Sequence, residues 1–360
     1  MTTSTPAPDE DQFEVAVVGG GPAGLTAALY ATRLGHKTAV FDRGGGRAAM
    51  MQETHNVIGV PESVSGNEFL ETAVEQLRSY GTDYRRSFVT GIERRGGAFA
   101  LDTTDGPAVA DRIVLATGFS DGRPDPPLPR TGRGLHYCLH CDAYMFVDEP
   151  VYVMGHGDSA AFVAMLMLNF TDDVDLLLRG DDPTWSDETA TLLEKHPVDI
   201  VHEDVTGVRN DEDGWLEALE FEDNAGPRPA GNRTESGDKT VREYTGGFAM
   251  YGSEYNNELA ASLGAELEND GTVTVDDHGR TSVDGLFAVG DLTPGHNQIP
   301  VAMGQGAKAG IALHKSLREF PKSLAELEAE GAVEPQDVPA IDAELRRQAN
   351  GTEHAPAESD

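Results

Sequence analysis

Two glycine-rich turns, each lying between a short apolar run and a helical pattern, constrain the fold of this chain more than any other feature. The first turn follows the apolar run at residues 15–18 and places Gly19, Gly21 and Gly24 in the pattern G-x-G-x-x-G, with Pro22 and Ala23 opening the helix. Such glycines allow a tight turn and the close approach of a pyrophosphate to the positive N-terminus of the helix. The pattern therefore predicts a βαβ unit that binds a dinucleotide.

The end of the second predicted strand supports this interpretation. That strand covers residues 38–41 and is followed by Asp42, which lies 23 residues after Gly19. An acid at this distance is placed to accept hydrogen bonds from the ribose diol of an adenosine. We therefore assign Asp42 to cofactor binding; an exposed acid at the end of a strand is the alternative.

A second unit of the same kind begins at the apolar run of residues 151–154. Gly155, Gly157 and Ala160 form its turn, and the small side chain of Ala160 allows the helix to pack closely on the strand. The sequence thus predicts a second dinucleotide fold.

The residues after the second strand of that unit bear on the choice of nicotinamide cofactor. The 2′-phosphate of NADPH requires a cluster of arginines, and this segment contains Arg179 alone. Asp181 and Asp182 would repel that phosphate and could instead hold a free ribose diol. The sequence therefore favours NADH over NADPH.

The two cysteines of the chain, Cys138 and Cys141, are separated by two residues. Two thiols at this spacing cycle between dithiol and disulfide as a two-electron couple without a partner from elsewhere in the chain. In a protein without an export signal, such a pair is more often catalytic than structural. Its position between two dinucleotide units predicts a flavin-linked thiol-disulfide oxidoreductase.

The charge of the chain excludes several partners. Acidic residues number 62 against 27 basic residues, which gives a net charge of −35. Such a surface repels nucleic-acid phosphates and anionic membranes, so we expect neither as a partner. Acids spread over the whole surface are typical of proteins from salt-loving organisms; an acidic docking face for a basic partner is the alternative.

The sequence contains no segment that predicts export or membrane insertion. The longest apolar run, residues 160–168, is too short to cross a bilayer, and residues 1–13 have neither a basic start nor an apolar stretch. The prediction is a cytoplasmic protein.

Together with Ala116-Thr117-Gly118, Gly290-Asp291 and Gln298, these motifs resemble those of the low-molecular-weight thioredoxin reductases. That family comprises FAD-dependent pyridine nucleotide-disulfide oxidoreductases and includes related dithiol oxidases. The resemblance extends over about residues 13–320. It implies an α/β fold with two Rossmann-like dinucleotide-binding domains, the second inserted into the first, and FAD as a cofactor.

The resemblance also implies which residues contact the cofactors. For FAD these are the residues of the first glycine turn and Asp42, together with Arg47, Asn56, Thr117, Gly118, Gly290, Asp291, Gln298 and Ile299. For a nicotinamide nucleotide they are Gly155, Gly157 and Ala160. No residue is assigned to a metal.

Four parts are expected along the chain. Residues 1–12 form a disordered tail, residues 13–122 and 245–320 a discontinuous FAD-binding domain, residues 123–244 an NAD(P)-binding-like domain that carries the cysteines, and residues 321–360 an acidic C-terminal extension. Cysteines buried against a flavin cannot also meet a protein substrate. The middle domain is therefore expected to rotate about its linkers.

By the resemblance, Cys141 faces the flavin, Cys138 attacks the substrate disulfide and Asp142 shuttles the thiol proton. His140 lies between the two cysteines. A cationic imidazole near a thiolate stabilises the reduced form. We therefore hypothesise that His140 makes the couple more oxidising.

The leading functional hypothesis is a reductase that passes electrons from a donor through FAD and the cysteine pair to a thioredoxin-like protein. The donor could be NADH, NADPH or reduced ferredoxin, and relatives of this kind are usually homodimers. The alternatives are an oxygen-using oxidase of small dithiols and a flavin-bearing redox sensor without turnover.

The net charge predicts how stability responds to salt. Added KCl screens the repulsion among carboxylates that opposes compaction, so the free energy of unfolding should rise with KCl concentration. Thermal denaturation at increasing KCl checks this, with a protein of near-zero net charge as the control. A melting temperature that does not change with KCl would contradict the prediction.

Overall fold

The computed structural model describes residues 11–125, 129–222, 234–236 and 239–351. The α-helices of these residues are α1 (Pro22–Arg33), α2 (Gly66–Ser79), α3 (Leu139–Asp142), α4 (Asp158–Met167), α5 (Asp187–Leu193), α6 (Glu258–Ser262), α7 (Ile299–Arg318), α8 (Leu324–Glu330) and α9 (Ala343–Gly351). Single 3-10 turns occur at Ala48–Met50, Ala143–Phe146, Gly290–Leu292 and Pro335–Asp337. None of the described helices is both long and apolar enough to cross a membrane.

The strands are β1 (Asp11–Val18), β2 (Thr38–Phe41), β3 (Asp83–Arg85), β4 (Val89–Arg95), β5 (Ala98–Thr103), β6 (Ala108–Leu115), β7 (Phe119–Asp121), β8 (Leu135–His136), β9 (Val151–Met154), β10 (Val174–Leu177), β11 (Asp199–Val201), β12 (Asp204–Asn210), β13 (Leu216–Glu222), β14 (Thr234–Ser236), β15 (Lys239–Glu243), β16 (Gly246–Ala249), β17 (Ser253–Tyr255) and β18 (Leu286–Ala288). β7 pairs with β17 in a two-stranded sheet, and all other strands belong to three larger sheets.

The chain forms two compact units. The first comprises the described residues up to Met51, the segment Ser63–Ser120 and the described residues from Tyr255 onward. The second comprises Gln52–Glu62 and the described part of Asp121–Glu254. The second unit is thus inserted into the chain of the first.

The first unit is built on a seven-stranded sheet in the order β3-β2-β1-β6-β5-β4, in which β18 also pairs with β6. β1, β2, β3, β6 and β18 are parallel, whereas β4 and β5 run antiparallel to their neighbours. One edge of β6 pairs with β1, and its other edge is shared between β5 and β18. Apolar clusters cover both faces of the sheet, as a mainly parallel sheet requires.

The second unit contains a parallel sheet in the order β11-β10-β9-β16-β8 and an antiparallel sheet in the order β12-β13-β15-β14. The buried carboxylate of Asp175 in β10 links the two sheets. The guanidinium of Arg242 in β15 and the Tyr244 hydroxyl each donate to its Oδ2 at 2.5 Å. Burial and the neighbouring Asp175 carboxylate raise the pKa of Tyr244 well above its usual value, so its hydroxyl remains a donor.

The limits of these units differ from the predicted domain limits in two places. β16 pairs with β9 in parallel register, so the second unit continues beyond residue 244, and the chain returns to the first unit between Glu254 and Tyr255. The segment Gln52–Glu62 was expected in the FAD-binding domain, but its contacts are with the second unit.

Two residues assigned to the predicted disordered tail lie in a strand. Asp11 and Gln12 lie in β1, because they pair with Ala108 and Val109 of β6. Residues 1–10 are outside the described part of the chain.

The C-terminal extension packs back on the first unit. Ile341 lies against Gly35, where an added Cβ would be 2.1 Å from Ile341 Cγ2. Leu345 is buried, and Gln348 Nε2 donates to the carbonyl oxygens of residues 78 and 79. The extension thus covers the C-terminal ends of α1 and α2; residues 352–360 are not described.

Helix α7 packs against α1 through glycines. A Cβ on Gly306 would lie 2.3 Å from Ala23 O, and a Cβ on Gly310 would lie 2.6 Å from Tyr30 Cβ. The missing side chains let the two backbones approach closely. α7 was not predicted from the sequence, because its three glycines lower the helical propensity of the segment.

Gly306→Ala should therefore destabilise the first unit. Its new Cβ meets the backbone of Ala23, which cannot swing away, so α1 and α7 must separate at a cost of about 1–3 kcal/mol. Gly304→Ala is the matched control in the same helix, because nothing lies within 4 Å of its added Cβ. Chemical denaturation of both variants measures the difference, and equal free energies of unfolding would refute the packing argument.

Candidate active site

The carboxyl ends of four parallel strands meet at one level of the first unit's sheet. Val18 pairs with Phe41 on one side and with Leu115 on the other, and Ala288 pairs with Leu115. The carboxyl edge of such a sheet is where dinucleotides bind. The structure brings together there four predicted cofactor segments: the Gly19 turn, Asp42, Thr117-Gly118 and Gly290-Asp291.

The first glycine turn leaves open space at the N-terminus of α1. Gly19 has φ +112°, and a Cβ on it would lie 2.3 Å from Ala116 O; a Cβ on Gly24 would lie 2.1 Å from Gly19 O. Gly21 caps α1 without a side-chain hydrogen bond, and nothing lies within 4 Å of a Cβ built on it. Pro22 begins the helix. The backbone N–H groups at the start of α1, to which no side chain is hydrogen-bonded, and the space before them fit a pyrophosphate such as that of FAD.

The carboxylate of Asp42 is held by four donors. The backbone N–H groups of Gly20 and Gly44 donate to Oδ1 at 3.3 and 3.0 Å, and the Tyr84 hydroxyl and Arg86 guanidinium donate to Oδ2 at 2.6 and 2.9 Å. Burial and the hydrogen bond to Asp42 raise the pKa of Tyr84. A carboxylate offers about four acceptor positions, so a ribose diol must displace a donor. Arg86, with a side chain 65% exposed, is the most accessible of them.

The turn after β6 is fixed by a residue that the sequence analysis missed. Thr117 Oγ1 donates to Asn256 O at 2.7 Å, and Asn256 Nδ2 donates back to Thr117 O at 2.9 Å. The backbone N–H of Asn256 also donates to Gly118 O. No local pattern could reveal Asn256, which lies 139 residues along the chain from Thr117. Nearby in the first unit, the Arg47 guanidinium lies 4.9 Å from the centroid of the Phe119 ring.

The turn after β18 leads into α7. Gly290 has φ +72°, and a Cβ on it would lie 2.7 Å from Ala23 Cβ, so this turn packs on the first turn of α1. Asp291 follows and is half-buried. Gln298 caps α7, and Ile299 is the first residue of that helix. The roles of these residues toward the flavin stay predictions.

The glycine turn of the second unit has the tight packing expected of it. Gly155 has φ +146°, and a Cβ on it would lie 2.8 Å from Ala160 Cβ. Gly157 caps α4. The backbone N–H of Thr184 donates to His156 O at 2.7 Å, so the segment after β10 is tied to the turn.

Cys138 and Cys141 form a disulfide in the second unit. Cys138 caps α3, and its Sγ accepts a hydrogen bond from the backbone N–H of Cys141 at 3.1 Å. Both cysteines are partly exposed, and His140 between them is exposed. An outside thiolate can therefore reach the pair, as thiol-disulfide exchange requires.

Asp142, the residue after Cys141, lies between two histidines. Its Oδ2 is 2.8 Å from His136 Nδ1, and its Oδ1 is 3.5 Å from His55 Nδ1. His136 is buried against the rings of Phe146 and Phe248. The sequence analysis assigned Asp142 a proton but did not predict this pairing. The part of the chain that the structure describes contains no group of three or more His, Cys, Asp or Glu side chains suited to a metal ion.

His55 belongs to the segment Gln52–Glu62 of the second unit. Thr54 is buried there, and its backbone N–H donates to Glu62 O at 3.0 Å, which closes the segment into a loop. Asn56, predicted to contact FAD, is exposed in the same loop, whereas Arg47 belongs to the first unit. The structure therefore assigns these two predicted FAD contacts to different units.

Comparisons with known proteins identify the family. The family model "Pyridine nucleotide-disulphide oxidoreductase" matches residues 13–306. The thioredoxin reductase of Mycolicibacterium smegmatis is 31% identical over 317 residues, which cover 85% of this chain and 97% of that protein. A bifunctional thioredoxin reductase/thioredoxin of Mycobacterium leprae is 30% identical over 342 residues, 89% of this chain and 69% of that protein.

Solved structures give the same result. The crystal structure of thioredoxin reductase from Streptococcus pyogenes is similar with a TM-score of 0.75 at 27% identity, covering 87% of this chain and all of that one. The chain belongs to the pyridine nucleotide-disulphide oxidoreductase family and is a thioredoxin reductase-like, FAD-dependent member of it.

Family membership confirms two predictions from the sequence. The fold is an α/β fold with two Rossmann-like domains, and the protein is an oxidoreductase that acts on disulfides. Its cofactors are FAD and a nicotinamide nucleotide. The open space at Gly21 is the feature of this chain that fits FAD.

His140→Ala should make the reduction potential of the Cys138–Cys141 couple more negative. A cationic imidazole stabilises a neighbouring thiolate, so its loss should shift the potential by roughly 30 mV, a tenfold change in equilibrium constant. Titration against a glutathione buffer followed by thiol alkylation measures the shift. An unchanged potential would rule the hypothesis out.

Proposed function

We propose that this protein reduces the disulfide of a thioredoxin-like protein, using electrons from NADH that pass through FAD to Cys138 and Cys141. The observation that carries the proposal is the partly exposed disulfide formed by the chain's two cysteines, with Asp142 as the following residue. FAD, when bound, exchanges an electron pair with the nicotinamide on one side and the disulfide on the other. Relatives named thioredoxin reductase support the choice of substrate.

The cysteines act in sequence. Once both are reduced, Cys138 Sγ attacks one sulfur of the substrate, whose S–S bond breaks and whose other sulfur leaves with a proton. Cys141 Sγ then attacks Cys138, which restores the enzyme disulfide and releases the second substrate thiol. Two S–H bonds of the enzyme are lost and two form on the product, so proton transfer by Asp142 accompanies each attack.

The surface after the cysteines favours a protein as the substrate. Tyr144 is 84% exposed and Val147 is 43% exposed; Tyr144 lies in the 3-10 turn after α3, and Val147 follows that turn. Exposed aromatic and apolar side chains beside a reactive group are typical of protein-binding surfaces. A small dithiol would not need such a surface.

The residues after β10, where the ribose of a nicotinamide nucleotide is expected, favour NADH. Arg179, the one candidate partner for a 2′-phosphate, is only 8% exposed and donates to the Asp125 carbonyl at 2.9 Å. Asp181 and Asp182 are exposed instead. A phosphate placed there would meet two negative charges without a free guanidinium.

Anaerobic mixing of the FAD-loaded protein with each donor tests the function and the choice of nicotinamide. NADH should bleach the flavin at least about tenfold faster than NADPH, because 1.4 kcal/mol of repulsion suffices for that ratio. Asp181→Arg should lower the ratio of the bleaching rate with NADH to that with NADPH. A thioredoxin added to the reduced protein should then restore the flavin colour.

The Cys138→Ser, Cys141→Ser double variant is the control, because it should still bleach with NADH but should not reduce thioredoxin. A flavin that ignores NADH, bleaches with a small dithiol and recolours in air would replace the reductase with a dithiol oxidase. Equal rates with NADH and NADPH would refute the preference for NADH and leave the reductase function standing.

A further inference from the structure

Four ionisable side chains of the second unit lie in a row that includes Asp142, the residue after Cys141. His136 Nδ1 contacts Asp142 Oδ2 at 2.8 Å, Asp142 Oδ1 lies 3.5 Å from His55 Nδ1, and His55 Nε2 lies 3.1 Å from Glu53 Oε2. Imidazole and carboxylate alternate along the row, and each histidine uses a different oxygen of Asp142. Every neighbouring pair can therefore share a proton.

Exposure increases steadily along this row. The side chain of His136 is 7% exposed, that of Asp142 20%, that of His55 23% and that of Glu53 49%. One end is thus enclosed by the rings of Phe146 and Phe248, and the other end is in solvent. A row with this gradient connects the neighbourhood of Cys141 to bulk water.

We propose that Glu53, His55, Asp142 and His136 form a proton relay that serves the Cys138–Cys141 couple, with His55 as the group that exchanges protons with solvent. This inference rests on the proposed exchange chemistry of the cysteine pair and extends it to residues outside the Cys-x-x-Cys-Asp motif. The other ionisable side chains on the same segments, apart from the two cysteines, are Glu62 of the loop and Tyr137, His140 and Tyr144 around the cysteines.

The relay avoids a change of net charge in a partly enclosed site. A carboxylate acting alone in a partly enclosed site changes its net charge each time it takes or gives a proton, and low polarity makes that change costly. In the row, a proton enters at Asp142 as another leaves His55 for solvent by way of Glu53. The net charge of the group is then the same before and after the transfer.

The protons balance in the exchange reaction. The proton that leaves Cys141 Sγ before it attacks Cys138 enters the row at Asp142, and a proton from the row reaches the leaving substrate thiolate. The enzyme's S–S bond forms as the mixed disulfide breaks, and the electron pair stays with the leaving sulfur. The 3.5 Å separation of Asp142 and His55 is longer than a hydrogen bond and must shorten for proton transfer, as catalytic hydrogen bonds of unliganded enzymes often do.

Single-turnover exchange of the chemically reduced protein with small disulfides tests the relay. A dialkyl disulfide has a leaving thiolate that must be protonated, whereas the thiolate of an aryl disulfide leaves without a proton. His55→Gln should slow the dialkyl reaction by at least about tenfold and the aryl reaction much less, because general acid catalysis is lost only where a proton is needed.

Rescue separates proton transfer from structural support. His55→Ala should show the same selective loss, and added imidazole should restore its rate with the dialkyl disulfide. His196→Ala is the matched control, because His196 is an exposed histidine of the same unit at the end of α5. It should react like the unsubstituted protein and should not respond to imidazole.

Several outcomes would overturn the relay. Unchanged rates in the His55 variants, equal slowing with both disulfides, or no response to imidazole would each show that His55 does not carry protons. Neither a nicotinamide donor nor thioredoxin enters the assay, so these outcomes leave the proposed function standing. Absence of exchange in the unsubstituted reduced protein would remove both.

Discussion

The parallel register of β1, β2, β6 and β18 is the constraint on which the first unit depends. Because these strands end at the same level, four turns distant in sequence gather at one edge of the sheet. Gathering them requires backbone contacts too close for side chains. Glycine supplies that space where Gly24 passes Gly19 and where Gly306 passes Ala23. The open space at Gly21 is thus bordered by contacts that leave little freedom for the turn to shift.

The second unit uses the same sheet construction but places its chemistry at an edge. β8 has two residues and pairs with β16, and the cysteines follow it at once. The hydrogen bond from His136 to Asp142 joins this strand to α3 independently of the disulfide. In the proposed exchange, Asp142 is both held by this strand and the acid that exchanges protons with the thiols.

Much of the fold could be predicted because its signals are local. The predicted strands at residues 38–41 and 151–154 have the observed bounds, since short apolar runs before glycine or acid define them. α7 could not be predicted in this way, because its close packing demands glycines that weaken helical propensity. The end of the second unit was also missed. β16 is assigned by its pairing with β9, which is a long-range contact.

The same contrast between local and long-range signals applies to the residues of the site. The glycine turns, the cysteines and Asp142 stand in short motifs whose residue types state their chemistry. His55 does not, because it meets Asp142 from 87 positions earlier in the sequence. Its loop is closed by the Thr54–Glu62 hydrogen bond and clusters with the second unit, although the chain on both sides belongs to the first. The proposed relay gives this placement a chemical role, because an imidazole between two carboxylates can accept a proton from one and donate a proton to the other.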